Sequence, residues 1–244
     1  MTDSLKSSYQ LLSWDSNLFG YSVAKLGKNL DSEEAKVALK QLADQGVKLV
    51  YWFVDPSDTE KNNAAKQLNG QLVDEKITYT INAGLVANPN GNVHPVQSFG
   101  LKAPGAELIS LALQSGAYSR FSTDEHFTHN EYKKLYTIWI EKSVQHTIAF
   151  DVLVCADEDG SIKGFITLES KNGKGSIGLF AVDENARGKS IGKTLMHEAF
   201  ARFRKKGFDT VTVTTQKKNA VACRFYEKIG FVLLKTENVY HFWL

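Results

Sequence analysis

The residues best placed to do chemistry in this chain are Asp183-Glu184-Asn185-Ala186-Arg187-Gly188-Lys189-Ser190, followed by Ile191, Gly192 and Lys193. They are preceded by a β-prone run, Ser176-Ile177-Gly178-Leu179-Phe180-Ala181-Val182. They lead into Ile191, Leu195, Met196, Ala199, Phe200 and Phe203, an apolar stripe at helical spacing. A strand that turns into a helix in this way can hold an anion. The first N–H groups of the helix lack intrahelical partners and sit at the positive end of its dipole, and Gly188 and Gly192 let a ligand approach the backbone. Arg187, Lys189 and Lys193 add positive charge. Gly188-Lys189-Ser190 and Gly192-Lys193-Thr194 both resemble the end of a nucleoside-triphosphate P-loop, but the glycine required five residues before each second glycine is Asp183 or Arg187. Taken alone, the loop also fits an ordinary solvated helix start.

A second block follows downstream. Thr212-Val213-Thr214-Thr215 reads as a strand, and Asn219 to Ile229 as a helix that stops at Gly230 before another strand begins at Phe231. Tyr226 within that helix fits a packed core aromatic.

The elements that must position these residues divide into two lobes, residues 1–87 and 105–244, joined by a linker over 88–104 with the Pro, Gly and Asn content of Asn88-Pro89-Asn90-Gly91. The first lobe reads as a strand near Tyr9–Leu12, a helix over 31–45, a strand over Leu49–Val54, a helix opened by the capping box Ser57-Asp58-Thr59-Glu60, and a strand over 72–81. The second reads as helices over 107–114 and 130–144, three strands broken at Asp157–Gly160 and Lys171–Lys174, the loop and its helix, and the closing strands and helix. A mixed α/β sheet flanked by helices is the natural assembly. No internal repeat is visible.

These motifs resemble the GCN5-related N-acetyltransferases (the GNAT superfamily). Its acyl-CoA signature, Arg or Gln, two residues, Gly, one residue, Gly or Ala, is matched by Arg187, Gly188, Lys189, Ser190, Ile191 and Gly192, with Ser190 the one departure. Asn219-x-x-Ala222 and Tyr226-x-x-x-Gly230-Phe231 match its second motif. The resemblance implies the GNAT α/β fold with a smaller N-terminal α/β lobe, acetyl-CoA as co-substrate, and CoA contacts from Arg187 to Lys193 and from Asn219. It also implies main-chain N–H groups at Phe180, Ala181 and Val182 on the thioester carbonyl, and Tyr226 as the acid that protonates the departing sulfur. A phenol near pKa ~10 lies above a thiol near ~8.5, so that donor needs no large shift.

For the acceptor, Trp14-Asp15-Ser16-Asn17-Leu18-Phe19-Gly20, Ser119-Arg120-Phe121 and Trp139-Ile140-Glu141 are similar to stretches of the dTDP-fucosamine acetyltransferases. Members of that group acetylate the amine of a dTDP-4-amino-4,6-dideoxygalactose. Trp14, Phe19, Gly20, Arg120 and Phe121 are then substrate-binding candidates; the first three also fit a packed strand and turn. Arg120, expected to be exposed, fits either a phosphate clamp or a surface salt bridge. Glu169 and Asp74 are the candidate bases, each also readable as a solvated strand carboxylate. The competing functions are a peptide or small-amine acetyltransferase and a non-catalytic acyl-CoA-binding module.

Composition sets further bounds. The chain has 244 residues, 43% of them apolar, and a formal charge of +2 with no arginine-rich arm, which argues against nucleic acid as a partner. No signal segment and no run of about 20 apolar residues is present, so a cytoplasmic protein that does not enter membranes is expected. Cys155 and Cys223 lack metal-like spacing and are expected to be buried thiols. His126 and His129, beside Asp124 and Glu125, suggest a metal only superficially, and none is expected. A homodimer is left open.

Overall fold

The computed structural model describes residues 8–86 and 94–244. These fall into two compact units, the first holding residues up to Ile77 with Gln216–Lys218 and Lys235–Leu244, the second Thr78–Thr215 with Asn219–Leu234.

In the first unit β1 (Tyr9–Leu11) runs antiparallel to β2 (Val23–Leu26), and β2 lies parallel to β3 (Leu49–Val54). The C-terminal part of β10 (Val232–Trp243) pairs antiparallel with β3, from Asn238 opposite Val54 to Trp243 opposite Leu49. The first half of β4 (Gln71–Asn82) flanks β10. Helix α2 (Ser32–Asp44) begins at a reciprocal cap, Asp31 accepting from the Glu34 N–H while the Glu34 carboxylate accepts from the Asp31 N–H. Its buried Ala35, Ala38, Leu39 and Leu42 join Trp52, Tyr240 and Phe242 in one core cluster.

Three local expectations change here. The Trp14–Gly20 stretch is not strand and turn: it is helix α1 (Ser13–Phe19), ended by Gly20 at φ 81°, with the Ser16 hydroxyl donating to the Leu12 carbonyl. Helix α3 (Thr59–Gln67) is capped by Asp58, which accepts from the Lys61 N–H, because Ser57 is held back by its bonds to Asp55. Val96–Ser98, inside the segment read as linker, is strand β5; residues 88–93 of that segment lie outside the described residues.

In the second unit the strand order is β4, β9 (Thr210–Gln216), β8 (Lys174–Val182), β7 (Ile162–Lys171), β6 (Asp151–Ala156), β5. All neighbours from β5 to β8 are antiparallel, whereas β8 and β9 are parallel. Helices α4 (Ala106–Ser115) and α6 (Glu131–Val144) pack on each other, and the short α5 (Arg120–Thr123) lies between them in sequence. The apolar stripe of α7 (Ile191–Lys205) is buried as its spacing predicts, Leu195, Met196, Phe200 and Phe203 fully so. Gly164 on β7 admits this helix: a Cβ there would stand 3.0 Å from Ile191 and Leu195. Helix α8 (Ala220–Ile229) ends at Gly230, φ 104°. Among the described residues no helix is long and apolar enough to cross a membrane.

Candidate active site

The site in the second unit starts from a mismatch between β7 and β8. Ile166 pairs with Phe180 and Leu168 with Ile177, so Thr167 alone faces both Gly178 and Leu179, a β-bulge. The Thr167 hydroxyl fills the gap by accepting from the Leu179 N–H at 2.7 Å. On the other side, β8 pairs with β9 only from Gly175 opposite Val211 to Ile177 opposite Val213. Past Ile177 the edge of β8 that faced β9 is open. The N–H groups of Leu179 and Asp183 both point to β7, the latter donating to the Lys163 carbonyl at 2.9 Å. By the alternation of a strand, those of Phe180 and Val182 point the other way, into the opening, and that of Ala181 does not.

The anion loop lies at the end of this edge. Arg187 donates from Nε to the Val182 carbonyl at 3.3 Å. Arg187, Gly188, Lys189, Ser190 and Lys193 are all exposed. Gly188 (φ 80°) and Ser190 (φ 64°) are left-handed, and Ser190 is the N-cap of α7 without a side-chain cap bond. The family's preference for glycine at this position thus has a backbone cause, and serine meets it at a steric cost of about 1 kcal/mol. Gly192 lies close to Phe180, Val182 and Phe225, 3.3–3.4 Å from where its Cβ would be, so α7 starts almost in contact with the open strand.

Helix α8 borders the same place. Its N-cap Asn219 spends its side-chain oxygen on the Ala222 N–H at 3.1 Å, which leaves the amide group to reach a ligand. Tyr226 is buried among Phe180, Phe225, Phe231 and Tyr79, with ring centroids 5.6–6.4 Å away. Burial, with the Cys223 sulfur nearby, pushes its hydroxyl far above the ordinary phenol range. Tyr79, which the sequence did not single out, donates to Glu227 at 2.8 Å and ties β4 to α8.

Glu169 sits beside the bulge rather than in solvent. A Cβ on Gly178 would collide with its carboxylate and stand 2.7 Å from the Thr167 hydroxyl, so glycine lets Glu169 lie where it does. Trp139 of α6 donates to Glu169 at 3.3 Å. Burial raises its pKa, against the opposing pull of Trp139 and Lys171. Asp74 is likewise buried, not a solvated strand carboxylate, and belongs to the first unit. Gly178 was legible in principle, since an isolated glycine inside a strand pattern suggests a bulge.

The remaining candidates lie elsewhere. Trp14, Phe19 and Gly20 are in the first unit, Trp14 47% exposed and Phe19 stacked on Tyr21. Arg120 is half-buried, not exposed, because its guanidinium lies over the Phe121 ring at 4.3 Å, and Phe121 packs on Phe127. His126 is hydrogen-bonded to buried Asp124 at 2.9 Å and His129 lies 3.6 Å from Glu131, two separate pairs. Cys155 is buried and Cys223 half-buried.

Two stability predictions follow from this geometry. Glu169 binds its proton more tightly when folded, so its contribution is present below the unfolded carboxylate's pKa, about 4.3, and is lost as pH rises through the raised folded value. Glu169→Gln should therefore unfold like the wild type near pH 4 and at higher urea than the wild type at pH 8; a less stable variant at pH 8 would contradict the assignment. Ser190→Gly should gain up to about 1 kcal/mol in the same measurement, relief of the left-handed serine outweighing the entropy of glycine.

Comparison with known proteins agrees with this construction. A family model described as acetyltransferase (GNAT) family matches residues 115–231. The spore coat polysaccharide biosynthesis protein SpsD of Bacillus subtilis is 26% identical over 151 residues, which is 61% of this chain and only about half, 52%, of that protein. The dTDP-fucosamine acetyltransferase of Escherichia coli is 26% identical over 227 residues, 93% of this chain and 94% of that one. The crystal structure of a GCN5-related N-acetyltransferase from Sphaerobacter thermophilus superposes with a TM-score of 0.62, 15% identity, and coverage of 96% of this chain and 76% of that chain, a likeness of fold. With its α/β architecture, open β8 edge and anion loop, the segment 115–231 is matched by the GNAT family of acetyltransferases, and the fold of the chain is that of its members.

Proposed function

We propose that this GNAT N-acetyltransferase moves the acetyl group of acetyl-CoA to the amine of a nucleotide-linked amino sugar of the dTDP-4-amino-4,6-dideoxyhexose type, by direct attack of the amine on the thioester. The observation that carries the acceptor is the span of the similarity to the dTDP-fucosamine acetyltransferase. It runs over 93% of this chain and so takes in the first unit as well as the acetyltransferase segment.

In this reading the exposed N–H groups and cations from Arg187 to Lys193 hold the pyrophosphate of CoA, and the Asn219 amide contacts its pantetheine arm. The Phe180 and Val182 N–H groups aim at the thioester oxygen, fixed in place before charge develops there. Glu169, raised by burial and beside the bulge, takes the proton from the attacking ammonium through water; Asp74 is the second candidate for that role. A C–N bond forms, the C–S bond breaks, and Tyr226 gives its proton to the sulfur. The elevated pKa of Tyr226 does not disqualify it. A thiolate released into the same dry aromatic surroundings is itself destabilised and becomes a stronger base. Trp14, Phe19, Gly20, Arg120 and Phe121 are assigned to the acceptor.

The purified chain should release CoA from acetyl-CoA when supplied with nucleotide-linked amino sugars and not with peptide or simple amines. Silence across a panel of such sugars, or preference for the plain amines, removes the reading. If Tyr226 is the acid, Tyr226→Phe should lower kcat about 100-fold while CoA binding, followed by calorimetry, stays within about twofold; an unchanged kcat removes that role.

A further inference from the structure

The anion loop is held at one point by a residue that none of the roles above uses. His94 Nε2 lies 2.6 Å from the Lys189 carbonyl oxygen, across 95 positions of sequence. A carbonyl oxygen only accepts, so Nε2 carries the proton and donates it to this bond. His94 precedes Pro95, which confines it to extended backbone, and β5 begins at Val96, paired with Cys155 of β6. The imidazole is therefore carried on a segment anchored to the sheet, in the same unit as the loop.

What this contact fixes follows from the planarity of the peptide. The described peptide bonds are all trans, so the carbonyl of one residue and the N–H of the next point in opposite directions. With its oxygen held by His94, the Lys189–Ser190 peptide turns the Ser190 N–H away from the imidazole. The next peptide is pinned from inside the helix. The Ser190 carbonyl accepts from the Thr194 N–H at 3.0 Å and from the Thr194 hydroxyl at 3.2 Å, which sets the Ile191 N–H in the same manner. Thr194 is buried on α7, but the Lys189–Ser190 peptide stands ahead of the first helical residue and receives no bond from the helix. His94 supplies it from outside. Among the described residues no group accepts from the N–H of Ser190, Ile191, Gly192 or Lys193, so all four are available to a ligand.

We propose that His94 is a positioning residue for the pyrophosphate of CoA. Its bond to the Lys189 carbonyl turns the Ser190 N–H toward the phosphate oxygens and keeps the Lys189 oxygen, which would repel them, on the other side. The proposal rests on the reading above in which the Arg187–Lys193 loop holds that pyrophosphate. It gives the left-handed Gly188 and Ser190 an external tie where a side-chain cap is missing. A loop ordered before the ligand arrives loses less binding free energy to ordering on contact.

The test is a calorimetric titration of the full chain with CoA, which needs no acceptor and so does not depend on the sugar proposed above. His94→Ala should weaken binding about tenfold, through the lost hydrogen bond and the peptide orientation it imposes. His94→Gln should stay within about threefold of the wild type, because a carboxamide N–H on that stem can reach the same carbonyl. Equal losses in the two variants would mark His94 as a packing residue and overturn the proposal. Lys193→Gln, which removes a cation of the loop and leaves His94 untouched, separates this idea from the one beneath it. Binding weakened by Lys193→Gln but equal in the wild type and His94→Ala overturns the role of His94 and leaves the loop standing. Binding unchanged by both substitutions removes the loop as the pyrophosphate site, and His94 with it.

Discussion

Two residues of β8, Gly178 and Leu179, lie opposite one residue of β7, Thr167, and this mismatch governs the chemistry available to the second unit. A regular antiparallel ladder would keep β8 in register on both sides. The extra residue bends the strand, and the pairing of β8 with β9 ends at Ile177, where the bulge begins. What opens is a stretch of strand whose Phe180 and Val182 N–H groups have lost their neighbour on one side. An extended ligand arm can occupy that side as a strand would. The Thr167 hydroxyl keeps the bulge from leaving a buried donor unpaired, since it accepts from Leu179. Gly178 completes the arrangement by leaving the space in which Glu169 lies.

The loop that follows carries a second constraint of the same kind. Its two left-handed residues, Gly188 and Ser190, turn the chain from strand to helix within a few residues. A helix that begins so abruptly offers its first N–H groups outward without a side-chain cap to consume them. Glycine at residue 190 would be unstrained there. Serine retains the backbone geometry and adds a hydroxyl, so the departure from the family pattern alters energy more than shape.

How much of this was legible in the sequence depends on the range over which each feature is determined. The α7 stripe from Ile191 to Phe203, the Asp31–Glu34 cap and the Gly230 stop are local, and period or residue type was enough to read them. The loop and the Asn219–Phe231 block were legible through spacing. The bulge was not read, because it is a property of register between two strands and Gly178 alone only hints at it. The residue pattern offers Ser57 as the cap of α3, where Asp58, one residue on, does the work; the hydrogen bonds that Ser57 donates to Asp55 are invisible in that pattern. Trp14 to Gly20 was weighed as strand and turn because tertiary context, not propensity, sets so short a helix. The two lysines over Phe53, Lys25 and Lys76, are far apart in the chain, and no window of sequence contains both.

Burial acts in the same direction on the two groups assigned to proton transfer, yet with opposite chemical effect. It raises Glu169 and it raises Tyr226. For a carboxylate proposed to take a proton, a higher pKa means a stronger base, and the Trp139 hydrogen bond and Lys171 act against the shift. For a phenol that must give a proton, a higher pKa ensures that the proton is present at the start. The cost is a weaker acid, offset only if the leaving sulfur is equally dry. The packing of Phe180, Phe225 and Phe231 around Tyr226 supplies that dryness. One aromatic cluster therefore both fixes α8 against the open strand and sets the proton-transfer properties of the group it encloses. In this arrangement core packing and the proposed acid function have the same physical origin: the ring contacts that make Tyr226 resemble a structural aromatic are the ones whose burial raises its pKa and keeps the phenol protonated.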